Sequence, residues 1–155
     1  MALAVVVQQL VPAEIAGILF TANPINGKLD EVVINAVWGL GEAIVGGLVT
    51  PDTLTLEKAS GRVLSRETAD KHVITVRVES GTVEQPVPEA RRRAPVLDEG
   101  QAAELARLGV QIERLYGMPM EIKIVCGLTL SIHYFNIVSG LMLCSPDGIN
   151  PMSQR

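Results

Sequence analysis

AVVVQQLVPAEIAGILFTANPINGKLDEVVINAVWGLGEAIVGGLVTPDTLTLEK, residues 4–58, is the stretch that decides the fold class. Val5 to Val11 is rich in valine and ends against Pro12, which predicts a short buried strand. Gly17 to Ala22 predicts a second strand, closed by the turn formers Asn23, Pro24, Asn26 and Gly27. Glu31 to Ala36 predicts a third, and its Val-Val-Ile centre suits a sheet covered on both faces. Gly39 to Gly47, GLGEAIVGG, reads as a glycine-rich turn into a short helix. Thr50, Pro51 and Asp52 break the chain again, and Thr53 to Glu57 alternates like a half-buried strand.

Outward from there, Val63 to Ser65 can pair with Thr53 to Glu57 across the turn at Ser60 and Gly61. His72 to Glu79 alternates in part, and Gly81 turns it into Thr82 to Gln85. Residues 86–95 hold three prolines and three arginines, a composition that predicts a linker without regular structure. The strongest helix signal follows. Asp98 can cap it, Gln101 completes a capping-box pattern, and Gly117 and Pro119 end it. Leu105, Leu108, Ile112 and Leu115 form its apolar stripe. Met120 to Val125 and Leu128 to Phe135 then read as a hairpin around Gly127. The sum is an α+β domain over residues 1–135, with mostly antiparallel strands, one long helix and one short one. Residues 136–155 lack periodicity and read as a poorly ordered tail.

Composition narrows the function. Hydrophobic residues make up 48% of the 155 and charged residues 19%, which supports a packed core. With a net charge of −4 there is no electrostatic case for nucleic acid, and Arg91 to Arg93 read as a solvated run. No apolar run approaches the roughly 20 residues of a membrane helix, and the amino terminus lacks the basic segment of a signal peptide. Cys126 and Cys144 have no histidine at ligand spacing, so two free thiols in a reducing cytoplasm are expected. His72 and His133 have no evident nucleophile or acid partner and read as structural.

Three stretches could carry chemistry. GLGEAIVGG could bring backbone N–H groups to an anion, or could be a tight strand-to-helix turn; it matches neither the P-loop nor the dinucleotide fingerprint. Val5 to Val11 could offer its backbone to a purine, although composition alone favours a core strand. Glu121 could hold magnesium, or could form a surface ion pair with Lys123, which alternation places on the same face.

Together these blocks are far more specific. The Val-Gln-Gln strand, FTANP with its following Gly, INAVWGLGE, TPD and the later LYGMPMEI resemble, in order, the AMP/ATP-binding domain of phosphoenolpyruvate synthases and pyruvate phosphate dikinases. Rifampicin phosphotransferases share that domain. The resemblance covers residues 3–122 and implies the C-terminal part of an ATP-grasp, a fold in which two lobes clamp ATP. It implies ATP and magnesium as cofactors, with phosphoryl transfer to a histidine and on to pyruvate. Gln9, Leu10 and Val11 would face adenine, and Glu121 would lie on the metal-binding strand. A carboxylate-amine ligase, which uses the same general fold, fits the blocks less well.

The sequence also departs from the pattern. The family's phosphate-gripping Lys and Arg precede the Val-Gln-Gln strand, Lys123 stands where that strand has a second acid, and the family's closing Leu-Gln-x-Arg-Pro strand is replaced by HYFNIVSG. The expectation is therefore an incomplete, catalytically inactive fragment, truncated or frameshifted. It would otherwise be an interaction module complementing a separately encoded N-terminal lobe or phosphohistidine domain.

Overall fold

The computed structural model describes residues 13–41, 44, 49–127 and the backbone of 136–140. The expected strand Val5 to Val11, with Gln9, Leu10 and Val11, lies outside the described residues. So do most of the GLGEAIVGG segment, residues 128–135, His133 and Cys144.

Eight strands are described: β1 (Ile15–Phe20), β2 (Glu31–Trp38), β3 (Asp52–Glu57), β4 (Val63–Glu67), β5 (Val73–Val78), β6 (Gly81–Pro86), β7 (Met120–Cys126) and β8 (Asn136–Gly140). Two helices are described with them, the four-residue α1 (Glu89–Arg92) and the long α2 (Glu99–Tyr116). Six strands form one sheet in the order β4-β3-β2-β1-β7-β8, and β5 and β6 form a separate pair. Every strand pair is antiparallel, so the fold is α+β with a mostly antiparallel sheet.

The two sheet faces differ, as a period of two requires. Leu19 of β1, Val32, Ile34 and Ala36 of β2, Leu54 and Leu56 of β3, and Met120, Ile122 and Ile124 of β7 share one buried cluster with α2. Its Ala102, Leu105 and Ala106 complete that cluster. On β2, Val33 and Val37 of the opposite face are buried too, as the Val-Val-Ile run suggests. The edge strand β4 is largely exposed and carries Arg66 and Glu67, charges that discourage pairing with another chain.

α2 begins as its sequence dictates. The Asp98 carboxylate accepts from the Gln101 backbone N–H, and the Gln101 side chain accepts from that of Asp98. Gly117, at φ 72°, closes the helix in the left-handed conformation. The apolar stripe needs correction. Leu105 is buried and Leu108 and Ile112 are partly so, but Leu115 is 80% exposed. The buried surface runs instead along Ala102, Leu105, Ala106 and Gly109. The small Ala102, Ala106 and Gly109 bring the helix so near β1 that a Cβ on Gly109 would lie 2.6 Å from Leu19 Cδ2. The last turn, with Leu115 and Tyr116 exposed, is left outside the contact.

Within residues 86–95, read as lacking regular structure, the chain makes one helical turn, α1. Pro88 precedes it with a φ suited to helix entry. The arginine run is not merely solvated: Arg92 and Arg93 both bond the Asp70 carboxylate, and Arg91 lies over the Trp38 ring. β7 runs as expected, but its described partner is β8, with Lys123 opposite Asn136. No helix among the described residues is long and apolar enough to cross a membrane.

Candidate functional site

Of the three motif blocks described by the structure, each turns out to hold the scaffold. In FTANP, Asn23 Oδ1 accepts from the Ile25 backbone N–H at 3.0 Å, and its amide donates to Glu31 at 2.6 Å. This shapes the β1–β2 turn. Glu31 also accepts from Lys28 at 2.6 Å. The hydrogen bonds from Lys28 and then Asn23 hold the Glu31 carboxyl below the usual carboxylate range.

In the WGLGE block, Gly39 has φ 79°, and a Cβ there would lie 2.4 Å from the Thr75 carbonyl oxygen. A left-handed backbone pressed against another backbone requires glycine. The approach lets the Leu40 N–H donate to Thr75 O at 2.9 Å and docks β5 against the end of β2. The Trp38 indole donates to the Arg91 carbonyl at 3.2 Å. This first glycine is therefore structural; residues 42–43 and 45–48 of the segment are outside the described ones.

In the TPD block, Asp52 is 1% exposed and its carboxylate joins three segments. It accepts from Lys71 Nζ at 2.5 Å, Ala69 N at 2.9 Å and Val96 N at 2.8 Å. The Lys71 side chain is 2% exposed and also donates to Ala69 O. In the sequence TPD reads as a chain break, and nothing in it marks this carboxylate. A lone Asp before an alternating strand gives little sign of a partner 19 residues on.

The candidate ligand surface is the sheet face turned away from α2. Strand register sets Thr53, Asn35, Ile18 and Lys123 side by side across β3, β2, β1 and β7. The next row holds Thr55, Val33, Phe20 and Glu121. Thr53 Oγ1 donates to Asn35 Oδ1 at 2.9 Å, leaving the Asn35 amide nitrogen as the remaining donor. Glu121 and Lys123 do share a face, both partly buried, but the surface pair weighed for them is not formed.

Whether this face fits a magnesium ion can be tested on its donors. Mg²⁺ is held by one or two carboxylates together with phosphate oxygens and water. Here one carboxylate is followed, about 7 Å along the strand, by an ammonium group. Among the described residues no group of three or more His, Cys, Asp or Glu could hold a metal. The described residues do not fit magnesium. Cys126 is buried at the far end of β7, and burial pushes its thiol up, away from the reactive thiolate. His72 is exposed, with Arg92 3.0 Å from its Nε2, and belongs to the Asp70 cluster.

Comparison with known proteins gives this geometry a context. A probable phosphoenolpyruvate synthase of Methanocaldococcus jannaschii is 44% identical over 123 residues, covering 79% of this chain and 10% of that protein. A rifampicin phosphotransferase of a Streptomyces species is 45% identical over 77% of this chain and 14% of its own length. The prodigiosin-synthesizing transferase PigC of Serratia marcescens is 42% identical, with 78% and 14% covered. The chain thus spans only 10% to 14% of these relatives. Residues 1–126 match the family described as the pyruvate phosphate dikinase AMP/ATP-binding domain. With that match over most of its length, and an antiparallel α+β sheet carrying the family's motif blocks at its turns and strand ends, the chain belongs to the pyruvate phosphate dikinase AMP/ATP-binding domain family.

Proposed function

We propose that this chain is the purine-side lobe of an ATP-dependent phosphotransferase of the phosphoenolpyruvate synthase type. The parent reaction passes phosphoryl from ATP to a histidine and then to pyruvate. The family match over residues 1–126 is the observation that carries the reading. It is supported by the partly buried polar groups Thr53, Asn35 and Lys123 aligned on the sheet face away from α2. Gln9, Leu10 and Val11 offer the adenine contacts, backbone groups to the base edge and apolar side chains to its faces. Glu121 is the one acid on β7, and no step is routed through a metal there. Working on ATP, the lobe belongs in the cytoplasm.

Taken alone, the chain binds ATP weakly and does not turn it over. An isolated lobe touches one side of the nucleotide, and phosphoryl transfer needs positive charge around the transferred group. Lys123 beside Glu121 also reverses the charge expected of a metal-holding strand. Saturation-transfer NMR with ATP should show contact at the adenine protons. Leu10→Asp should abolish it without altering the far-UV circular dichroism. No contact in the parent chain, or contact unchanged in Leu10→Asp, overturns the assignment. Turnover of pyruvate and ATP by the chain alone overturns the inactivity.

A second reading is an interaction module that complements a separately encoded lobe. Ile25, 90% exposed, and Leu115, 80% exposed, are apolar side chains of the described residues that such a partner could cover. Co-purification with a second chain of the same enzyme type would support it. The acceptor is set outside this lobe, since synthase and rifampicin-type relatives match it equally well.

A further inference from the structure

Three lysines of the described residues sit at least partly buried against strands or their turns. Lys71 is paired with Asp52, and Lys58 with Glu113 at 3.0 Å. Lys123 has no such partner among the described residues. Its neighbour in register on β1 is Ile18, and beyond that lies Asn35, whose amide nitrogen is the donor left over once Thr53 holds its oxygen. On the other side Lys123 stands opposite Asn136. Among the described side chains this row therefore offers an ammonium group and an amide donor, with the Asn35 oxygen engaged by Thr53. Residues 1–12 and 128–135 contain no Asp or Glu, while Glu42 and Asp147 lie outside the described residues. A partly buried ammonium without a counterion is costly unless a ligand supplies one.

We propose that Lys123 contacts the polyphosphate of the bound nucleotide directly, so that this chain takes metal-free ATP in preference to its magnesium complex. The proposal rests on the nucleotide-binding reading above and concerns the same face. Lysine binds phosphate as a compact point charge. Free ATP carries two more negative charges than its magnesium complex, so Lys123 is attracted to it more strongly. A magnesium ion brought to Glu121 would stand close to the Lys123 ammonium and be repelled by it. The single acid of the strand then offers the metal no net charge advantage.

The test uses the full chain and NMR titrations of ATP and of adenosine, each with excess magnesium and with EDTA at matched ionic strength. ATP should bind several-fold more tightly in EDTA. Lys123→Ala should weaken ATP in EDTA by about tenfold, the worth of one charge-assisted hydrogen bond, and leave adenosine unchanged. Lys123→Glu should reverse the preference, making ATP binding depend on magnesium. Lys123→Met, which keeps the apolar stem, should match Lys123→Ala if charge rather than packing is responsible. Tighter binding with magnesium in the parent chain, or unchanged ATP affinity in Lys123→Ala and Lys123→Met, overturns the proposal while adenosine binding leaves the nucleotide reading intact. No binding of either ligand overturns both.

Discussion

Asp52 and Lys71 form an ion pair whose side chains are 1% and 2% exposed, and the carboxylate also takes two backbone N–H groups. The pair joins the start of β3 to the segment before β5 and to the segment before α2. Removing one partner of such a pair leaves a charge buried without compensation, at a cost of about 3–5 kcal/mol. Asp52→Ala should lose that much in urea unfolding, since Lys71 Nζ, Ala69 N and Val96 N all lose their acceptor. Asp52→Leu combined with Lys71→Met should recover much of it, because no charge is then left unpaired. A double variant no better than Asp52→Ala would show that the backbone bonds, not the charges, dominate.

At the scale of elements, the informative contact is the docking of the β5–β6 pair on the end of β2. It depends on the bridge between Gly39 and Thr75 and on the Leu40 hydrogen bond. Gly39→Ala would force a side chain into a left-handed backbone and against the Thr75 carbonyl. The expected result is faster amide exchange at Leu40 and along β5, with the amides of α2 unchanged. Equal acceleration in α2 would mean that the hairpin and the helix unfold as one unit. α2 itself was largely legible. Its capping box and terminal glycine are local signals, and both hold. Its buried face was less so, because Gly109 faces the core only through the nearness of Leu19.

At the scale of the whole molecule, three carboxylates among the described residues titrate below their ordinary values. Lys28 and Asn23 lower Glu31, and Arg107 lowers Glu104. Burial pushes Asp70 up, but Arg93 and Arg92 outweigh it. A depressed folded-state pKa contributes stability that is present above the unfolded value and lost as pH falls through the folded one. Stability should therefore decline as pH drops below about 4.5. Cys126 works in the other direction. Its raised pKa means that the unfolded chain ionises first, so stability should also fall as pH rises past about 9. Thermal melts from pH 3 to 10 should show a plateau between these limbs. A melting temperature that rises steadily on acidification would contradict the ion-pair assignment.

The sequence by itself determined what is local. β-Branched alternation, turn residues and helix caps each act within a few positions, and they placed β1 to β3, α2 and β7 within one or two residues. The motif blocks identified the family because they are linear. Which partners those blocks touch was decided only by tertiary structure. Asp52 meets Val96 across 44 residues, Trp38 meets Arg91 across 53, and Thr21 meets Met120 across 99. Such contacts depend on register and on packing distance between elements, quantities that no window of sequence contains. The same register sets Lys123 beside Ile18, with Asn35 one strand further on, a neighbourhood that no local pattern around Lys123 announces.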